Sequence, residues 1–212
     1  MTYLLIAVDG PAASGKGTIG RKISQEFNLN YLDTGKIYRA LAYKVLEHNI
    51  ADNEIDNIVN IATNLQLEDL SNKNLYHENI GMMASKISIL PKIREALLKF
   101  QRDIAYNSPN GALLDGRDIA TVICPDANLK FFITASLVAR VKRRHQELIN
   151  KGDIISYDTI YREIKKRDQR DRDRDIAPLK QADDAYYIDT TDRSPENVFN
   201  EVKHIILTYI NK

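Results

Sequence analysis

Only one cysteine, Cys124, occurs in the 212 residues, so no intramolecular disulfide can form and the chain suits a reducing compartment. Set in Thr-Val-Ile-Cys-Pro, it reads as a buried, inert thiol rather than a nucleophile. Neither charge is in excess: 30 basic against 29 acidic residues leave a formal net charge of +1. A general nucleic-acid binder, or a protein held on anionic membranes, would carry a basic surplus, so neither partner is expected. No apolar run approaches the roughly 20 residues of a spanning helix. No basic segment precedes the first apolar stretch, which stops at Asp9, so no signal peptide is expected and a cytoplasmic location is. The four histidines, His48, His77, His145 and His204, lie far apart without metal-ligand spacing, which argues against zinc. No Ser-His-Asp or Cys-His pattern stands out, and no general base is obvious. With 43% hydrophobic and 28% charged residues, what remains is one globular domain with a full core.

Against those absences, the first eighteen residues are dense with signal. The apolar run Leu4 to Val8 fits a strand buried on both faces. It meets Asp9 and then Gly10-Pro11-Ala12-Ala13-Ser14-Gly15-Lys16-Gly17-Thr18, after which Ile19, Ile23 and Phe27 keep helical spacing. Strand, glycine loop, lysine and helix is the arrangement that wraps a polyphosphate. Gly10 and Gly15 allow tight backbone turns that bring N–H groups to phosphate oxygens. The helix beginning near Lys16 adds its positive end. Lys16 would reach the β and γ oxygens, and the Thr18 hydroxyl is placed to hold Mg²⁺, partly through water. The hydroxyl stands one residue later than in the short consensus, because Gly17 intervenes; that spacing favours nucleoside-monophosphate kinases over GTPases.

Further along, apolar spacing predicts a strand at Tyr31-Leu32, a turn at Asp33-Thr34-Gly35 and a helix with 37, 41, 42 and 45 inward. A third helix uses 55, 58, 59, 62 and 65. Residues 66–80 show no periodicity and read as a loop or small excursion. Helix returns from Ile80 to Ile104, with Pro91 as a start and 93, 97, 100 and 104 as a stripe. After a loop at Ser108–Gly111, strands are expected at Ala112–Leu114, Leu129–Ile133 and Tyr186–Ile188. Ser136, Ser156 and Ser194 open the remaining helices, the first of them ending near Gly152. Alternating strands and helices imply a three-layer α/β fold with a five-stranded parallel sheet of the P-loop kinase type. Ligands in such sheets lie beyond the carboxyl ends of the strands, which gathers Gly10–Thr18, Asp33–Gly35 and Asp115–Asp118 at one edge. One domain is expected over 1–212, with a core of about 1–35, 105–150 and 176–212.

The second dense stretch is Arg167-Asp-Gln-Arg170-Asp171-Arg-Asp-Arg174. The apolar stripe 157, 160, 161 and 164 runs on in phase into 167, 171 and 174. Alternating charges often make only a solvated face. Beside a phosphate loop, however, arginines suit the equatorial oxygens of a transferring phosphoryl group. Asp9 and Asp115, at strand ends, either bear on a hydrated metal or cap the next element. The lack of a base is itself informative: a phosphate-monoester acceptor is already largely ionised, so positioning and charge neutralisation suffice.

Five segments together resemble the bacterial cytidylate kinases: Asp9–Thr18, Leu32-Asp-Thr-Gly-Lys-Ile-Tyr-Arg39, Arg94-Glu-Ala-Leu-Leu98, Asp115-Gly-Arg-Asp118 and Arg167–Arg174. The likeness runs over nearly the whole chain and implies, beside the core, an acceptor-binding lobe of about 36–104 and a helical lid of about 151–175. It implies an enzyme, most simply a monomer, that moves the ATP γ-phosphoryl group to CMP or dCMP with Mg²⁺. Carried over by position, Thr34, Arg39, Ser85, Arg94, Arg117 and Asp118 would form the acceptor site. Arg94, Asp118 and Ser85 would read the cytosine edge, and Arg39 would hold the acceptor phosphate. Arg167 and Asp171 would take the ribose, Arg174 the phosphates, and Arg170 would be the lid arginine. Lys16, Arg170 and Arg174 are the implied catalytic set. Thr34 replaces a common serine and keeps its hydroxyl. Residues 66–80 are too few for the small antiparallel sheet that longer members insert there, so a trimmed acceptor lobe is expected. Other small-acceptor kinases, acting on UMP, AMP or a shikimate-like alcohol, are the nearest alternatives; adenylate kinases usually show Pro-Gly where Ala12-Ala13-Ser14 stands. A nucleotide switch is further off, because no Asn-Lys-x-Asp signature follows a strand.

Overall fold

All five residues of the first apolar strand, Leu5–Asp9 (β1), are buried, as a strand covered on both faces requires. In the computed structural model, which describes residues 3–211, β1 is the middle strand of a five-stranded sheet. Its companions are Asn30–Asp33 (β2), Ala112–Gly116 (β3), Leu129–Thr134 (β4) and Tyr186–Asp189 (β5), in the order β2-β3-β1-β4-β5. β1 pairs parallel with β3, setting Asp9 against Gly116, and with β4, which pairs parallel with β5. The helices are Lys16–Glu26 (α1), Thr34–Glu47 (α2), Ile55–Thr63 (α3), Glu78–Ile87 (α4), Pro91–Tyr106 (α5), Leu137–Asn150 (α6), Tyr157–Asp173 (α7) and Pro195–Ile210 (α8). The architecture is the three-layer α/β fold expected of a P-loop kinase. Among the described residues, no helix is long and apolar enough to cross a membrane.

The chain divides into two compact units. The larger takes the residues up to Tyr31 and from Ser108 on. Its main core joins Ile6, Val8, Phe131, Ile133 and Ile188 of the sheet to Ile19 and Ile23 of α1 and to Val198, Val202 and Ile206 of α8. Cys124 is fully buried. A second, smaller core lies between α6 and α7: Val141, Leu148, Ile160 and Ile164, with Ala13 of the glycine loop packed against it. Ser136, Ser156 and Ser194 each accept the backbone N–H three residues on and so cap α6, α7 and α8. Ahead of β3 the backbone passes so close to Leu4 that a Cβ at Gly111, where φ is +95°, would lie 2.1 Å from the Leu4 carbonyl oxygen.

The smaller unit, Leu32–Asn107, is mostly helical. α2 packs on α4 and α3 on α5, burying Ile37, Leu41, Val45, Ile58, Ile80, Ile87, Ile93 and Leu97.

Three expectations need correction. The turn at Asp33–Gly35 is absent, because α2 begins directly at Thr34. Residues 66–80 are not a loop: Gln66 and Asp69 close a capping box on the 3-10 turn Leu67–Ser71. Asn72 caps a second such turn, Lys73–Tyr76, and α4 starts at Glu78. A 3-10 turn repeats every three residues and is too short to show a period in sequence. On α5 the buried line is 93, 94, 97, 101 and 105, not 93, 97, 100 and 104. The chain also forms a five-residue π-helix, Ile119–Ile123, that no sequence signal announced.

Candidate active site

From Asp9 the chain turns through Gly10–Gly15 into α1. Gly10 has φ +147°, and a Cβ there would lie 2.0 Å from the Ile133 carbonyl oxygen of β4, so only glycine fits. Ala13 (φ 58°) and Gly15 (φ 95°) adopt left-handed conformations. No side chain caps the first turn of α1, so no side-chain oxygen competes there with a bound anion. Lys16 folds back over the loop. Its Nζ donates to the Pro11 carbonyl at 2.9 Å and lies 3.9 Å from Asp115 Oδ1, with the side chain 5% exposed. Burial, together with the positive charges of Arg117 and Arg167, pulls its pKa down to about 7 against the pull of Asp115 and Asp9.

The two strand-end carboxylates part ways. Asp9 accepts the Ile119 and Ala120 N–H groups at 2.9 and 2.8 Å, and so caps the π-helix that follows Asp118. Burial pushes its pKa up to about 7 despite those two bonds, and Asp118 adds to the rise. Asp115 instead faces the loop. Its Oδ2 accepts the Tyr31 hydroxyl at 3.1 Å and stands 3.4 Å from where a Cβ on Gly17 would be, one residue before the exposed Thr18.

Beside this loop the same unit gathers a charged cluster. Arg117 donates from Nε to Asp171 Oδ2 at 2.9 Å and from Nη1 to the Gly116 carbonyl. Arg167 Nε lies 4.0 Å from Asp171, and Arg174 Nη2 lies 3.4 Å from Asp118 Oδ1. Burial pushes the Asp171 carboxyl upward, but Arg117, Arg167 and Arg174 outweigh it and hold it below the ordinary range. α7 ends at Asp173, so Arg174 follows in extended backbone, where the Leu179 N–H bonds back to the Asp171 carbonyl at 2.7 Å.

Two features of this stretch depart from the sequence reading. The inward residue after Ile160 and Ile164 is Asp168, whereas Arg167 stays half exposed. Arg170 lines an open cleft of about 520 Å³ with Arg162, Lys165, Lys166, Gln169 and Asp173.

Sequence reasoning also missed the residues that support the loop. Arg140 donates to the Ala12 carbonyl at 3.1 Å. Thr190 donates its hydroxyl to the Ser14 carbonyl at 2.9 Å and accepts from Arg143 Nη1 at 2.8 Å. For Arg140 and Arg143 no signal was available, since arginine on an amphipathic helix reads as surface. Asp168 had one: it falls four residues after Ile164.

In the smaller unit, Thr34 is buried at the start of α2. Arg39 donates to the Leu75 carbonyl at 2.9 Å and stacks over the Tyr76 ring at 5.9 Å. Ser85 is half-buried on α4. Arg94, nearly buried on α5, donates to the Ser88 carbonyl at 3.0 Å and lies over the Tyr38 ring at 5.7 Å. Both guanidiniums are thus oriented by a carbonyl and an aromatic face.

The sequence model of the family described as cytidylate kinase matches residues 6–208. A cytidylate kinase of Bartonella tribocorum is 44% identical over 94% of this chain and 92% of its own. One of Methylocella silvestris is 44% identical over 96% and 94%. Among solved structures, an uncharacterized protein from Eubacterium ventriosum shares the fold, with a TM-score of 0.57 at 12% identity over 96% of this chain and 98% of that one. Matched almost end to end, with its glycine loop, Asp-Gly-Arg-Asp and arginine-rich helix all within the matched span, the chain belongs to the cytidylate kinase family.

Proposed function

We propose that the protein transfers the γ-phosphoryl group of ATP to CMP or dCMP, giving ADP and the nucleoside diphosphate. The observation that carries this is the glycine loop with Lys16: a buried lysine at the start of α1 that folds back onto the Pro11 carbonyl of the loop, beside Asp115 at the end of β3. Loop amides and a lysine in that arrangement suit a polyphosphate.

In the larger unit, the loop Gly10–Thr18 takes the ATP phosphates, with the α1 amides and Lys16 on the β and γ oxygens. Arg174, with Arg117 and Arg167, neutralises charge on the transferring group and its neighbours. Asp118 and Asp171 act as acceptors that orient these arginines and take hydrogen bonds from base and ribose. Arg170 is assigned to the transferring group by family likeness. In the smaller unit, Arg39 is assigned to the acceptor phosphate, and Arg94, Ser85 and Thr34 to the nucleoside. An oxygen of the acceptor phosphate attacks the γ-phosphorus in line, and the bond from that phosphorus to the β,γ-bridging oxygen breaks. ADP carries away the electron pair. The attacking oxygen is already ionised, so no proton has to be removed.

Mg²⁺ fits the residues present. Among the described residues, no group of three or more His, Cys, Asp or Glu could form a cage, but this ion asks for few protein ligands. Thr18, exposed at the start of α1, and the nearby Asp115 carboxylate would hold it, directly or through water. When bound it would offset phosphate charge.

The test is a transfer assay over CMP, dCMP, UMP, AMP and GMP with ATP. A preference for the cytidine nucleotides is expected; equal or greater turnover with another acceptor would redirect the reading to a different small-acceptor kinase.

A further inference from the structure

The polar residue that α7 buries is Asp168, 6% exposed. Its Oδ1 accepts from Arg140 Nη1 at 3.0 Å and its Oδ2 from Nη2 at 2.6 Å. Arg140 is itself 3% exposed. The same guanidinium donates from Nη1 to the Ala12 carbonyl at 3.1 Å and from Nε to the Ala135 carbonyl, just beyond β4, at 2.9 Å. One buried cation therefore ties together the glycine loop, the end of a central strand and α7. A second contact reinforces it, since the Ala13 side chain packs against the Val141, Leu148, Ile160 and Ile164 cluster. Two consecutive loop residues are thus held by the α6–α7 hairpin, one through a carbonyl and one through a methyl.

A bidentate pair out of water resists separation, because either partner alone would be a bare charge in an apolar setting. Asp168 follows Arg167 directly and precedes Asp171 by three residues, so the fixed point lies within the arginine-bearing stretch. We propose that Arg140 and Asp168 are a positioning pair that holds residues 167–174 in register with the glycine loop. Motion of the α6–α7 tip then pivots about this pair and leaves the arginines where they are. The inference rests on the reading of these arginines as phosphate ligands. Arg140 does not touch the reacting atoms in this account; it acts through the Ala12 carbonyl and Asp168.

Two variants and one measurement on the unaltered protein test it. D168N keeps the side-chain shape, and R140M keeps much of the bulk. Each is expected to lower kcat at least about 30-fold while KM for ATP moves less than about threefold, because transition-state contacts are lost and ground-state binding is not. The double variant is expected to be little worse than either single one. A folded variant with wild-type kcat would overturn the proposal. So would a fall in thermal stability with kcat per folded molecule unchanged. Should both variants fail to fold, hydrogen exchange on the nucleotide-free wild type still decides. Amides of residues 168–172 are expected to exchange at least about tenfold more slowly than those of 161–164, which are equally hydrogen-bonded within α7, and equal rates would overturn the pivot. If the wild type phosphorylates no nucleoside monophosphate, the functional reading fails, whereas the exchange pattern tests the pair by itself.

Discussion

Lys16 and Asp9, one on each side of the loop's first turn, are buried groups whose pKa values are both drawn to about 7, from opposite directions. Lys16→Met removes the cation that meets the phosphates and is expected to lower kcat by about 10²–10³-fold. It also removes a buried charge, so the melting temperature should not fall. Steady-state kinetics beside a thermal melt checks both halves. Asp9 has a pH signature. Its folded pKa is raised above the ordinary 3.8, so between pH 3.8 and about 7 the folded state holds a proton that the unfolded state has released. Its contribution to stability therefore declines as pH rises through that window. Asp9→Asn should flatten that part of the stability–pH curve. It should also cost about 1–3 kcal/mol at pH 7, since Ile119 and Ala120 each donate to a different carboxylate oxygen and the amide NH2 that replaces one of them would face an N–H donor. Urea titrations at several pH values would show whether the slope is lost. Asp118→Ala is expected to weaken cytidine preference more than ATP affinity, and an unchanged acceptor panel would remove Asp118 from that role. The loop and the Asp-Gly-Arg-Asp segment were legible in the sequence because their chemistry depends on residue type and spacing along one stretch. A capping role for Asp9 is the favoured reading of a strand-end acid, but what it caps, a π-helix from residue 119 onward, was not legible.

At the scale of elements, periodicity located nearly every helix and strand and failed where it carried no information. The two 3-10 turns at Leu67–Ser71 and Lys73–Tyr76 are held by local capping rather than by a repeating stripe. α7 shows the other kind of failure. Its stripe was followed one position too early, and the inward place went to Asp168, whose partner Arg140 lies 28 residues away. No single-chain pattern records such a pairing. Gly111 gives a test at this scale, away from the phosphate loop. A methyl at this position would lie 2.1 Å from the Leu4 carbonyl oxygen in a backbone with φ +95°. Gly111→Ala should cost at least about 3 kcal/mol, through displacement of β3 from the start of β1. Denaturant unfolding would measure it, and a loss under about 1 kcal/mol would mean that the strands shift freely there.

For the molecule as a whole, each of the two units carries its own buried apolar set: the sheet with α1 and α8 in one, α2 to α5 in the other. Native-state hydrogen exchange should therefore resolve two groups of amides. Those of α2, α4 and α5 should share one opening free energy, and those of β1, β3 and β4 a higher one. A single common value would show that the chain opens only as one cooperative body. Cys124 turns this division into a measurement. It is the chain's one cysteine, and it is fully buried in the larger unit. A pulse of an impermeant thiol reagent can mark a molecule once, and only when that unit has opened. Intact mass then counts opened chains one by one. The protein thus carries its own clock for the unfolding of the larger unit, to be read with and without nucleotide, and no engineered probe is required.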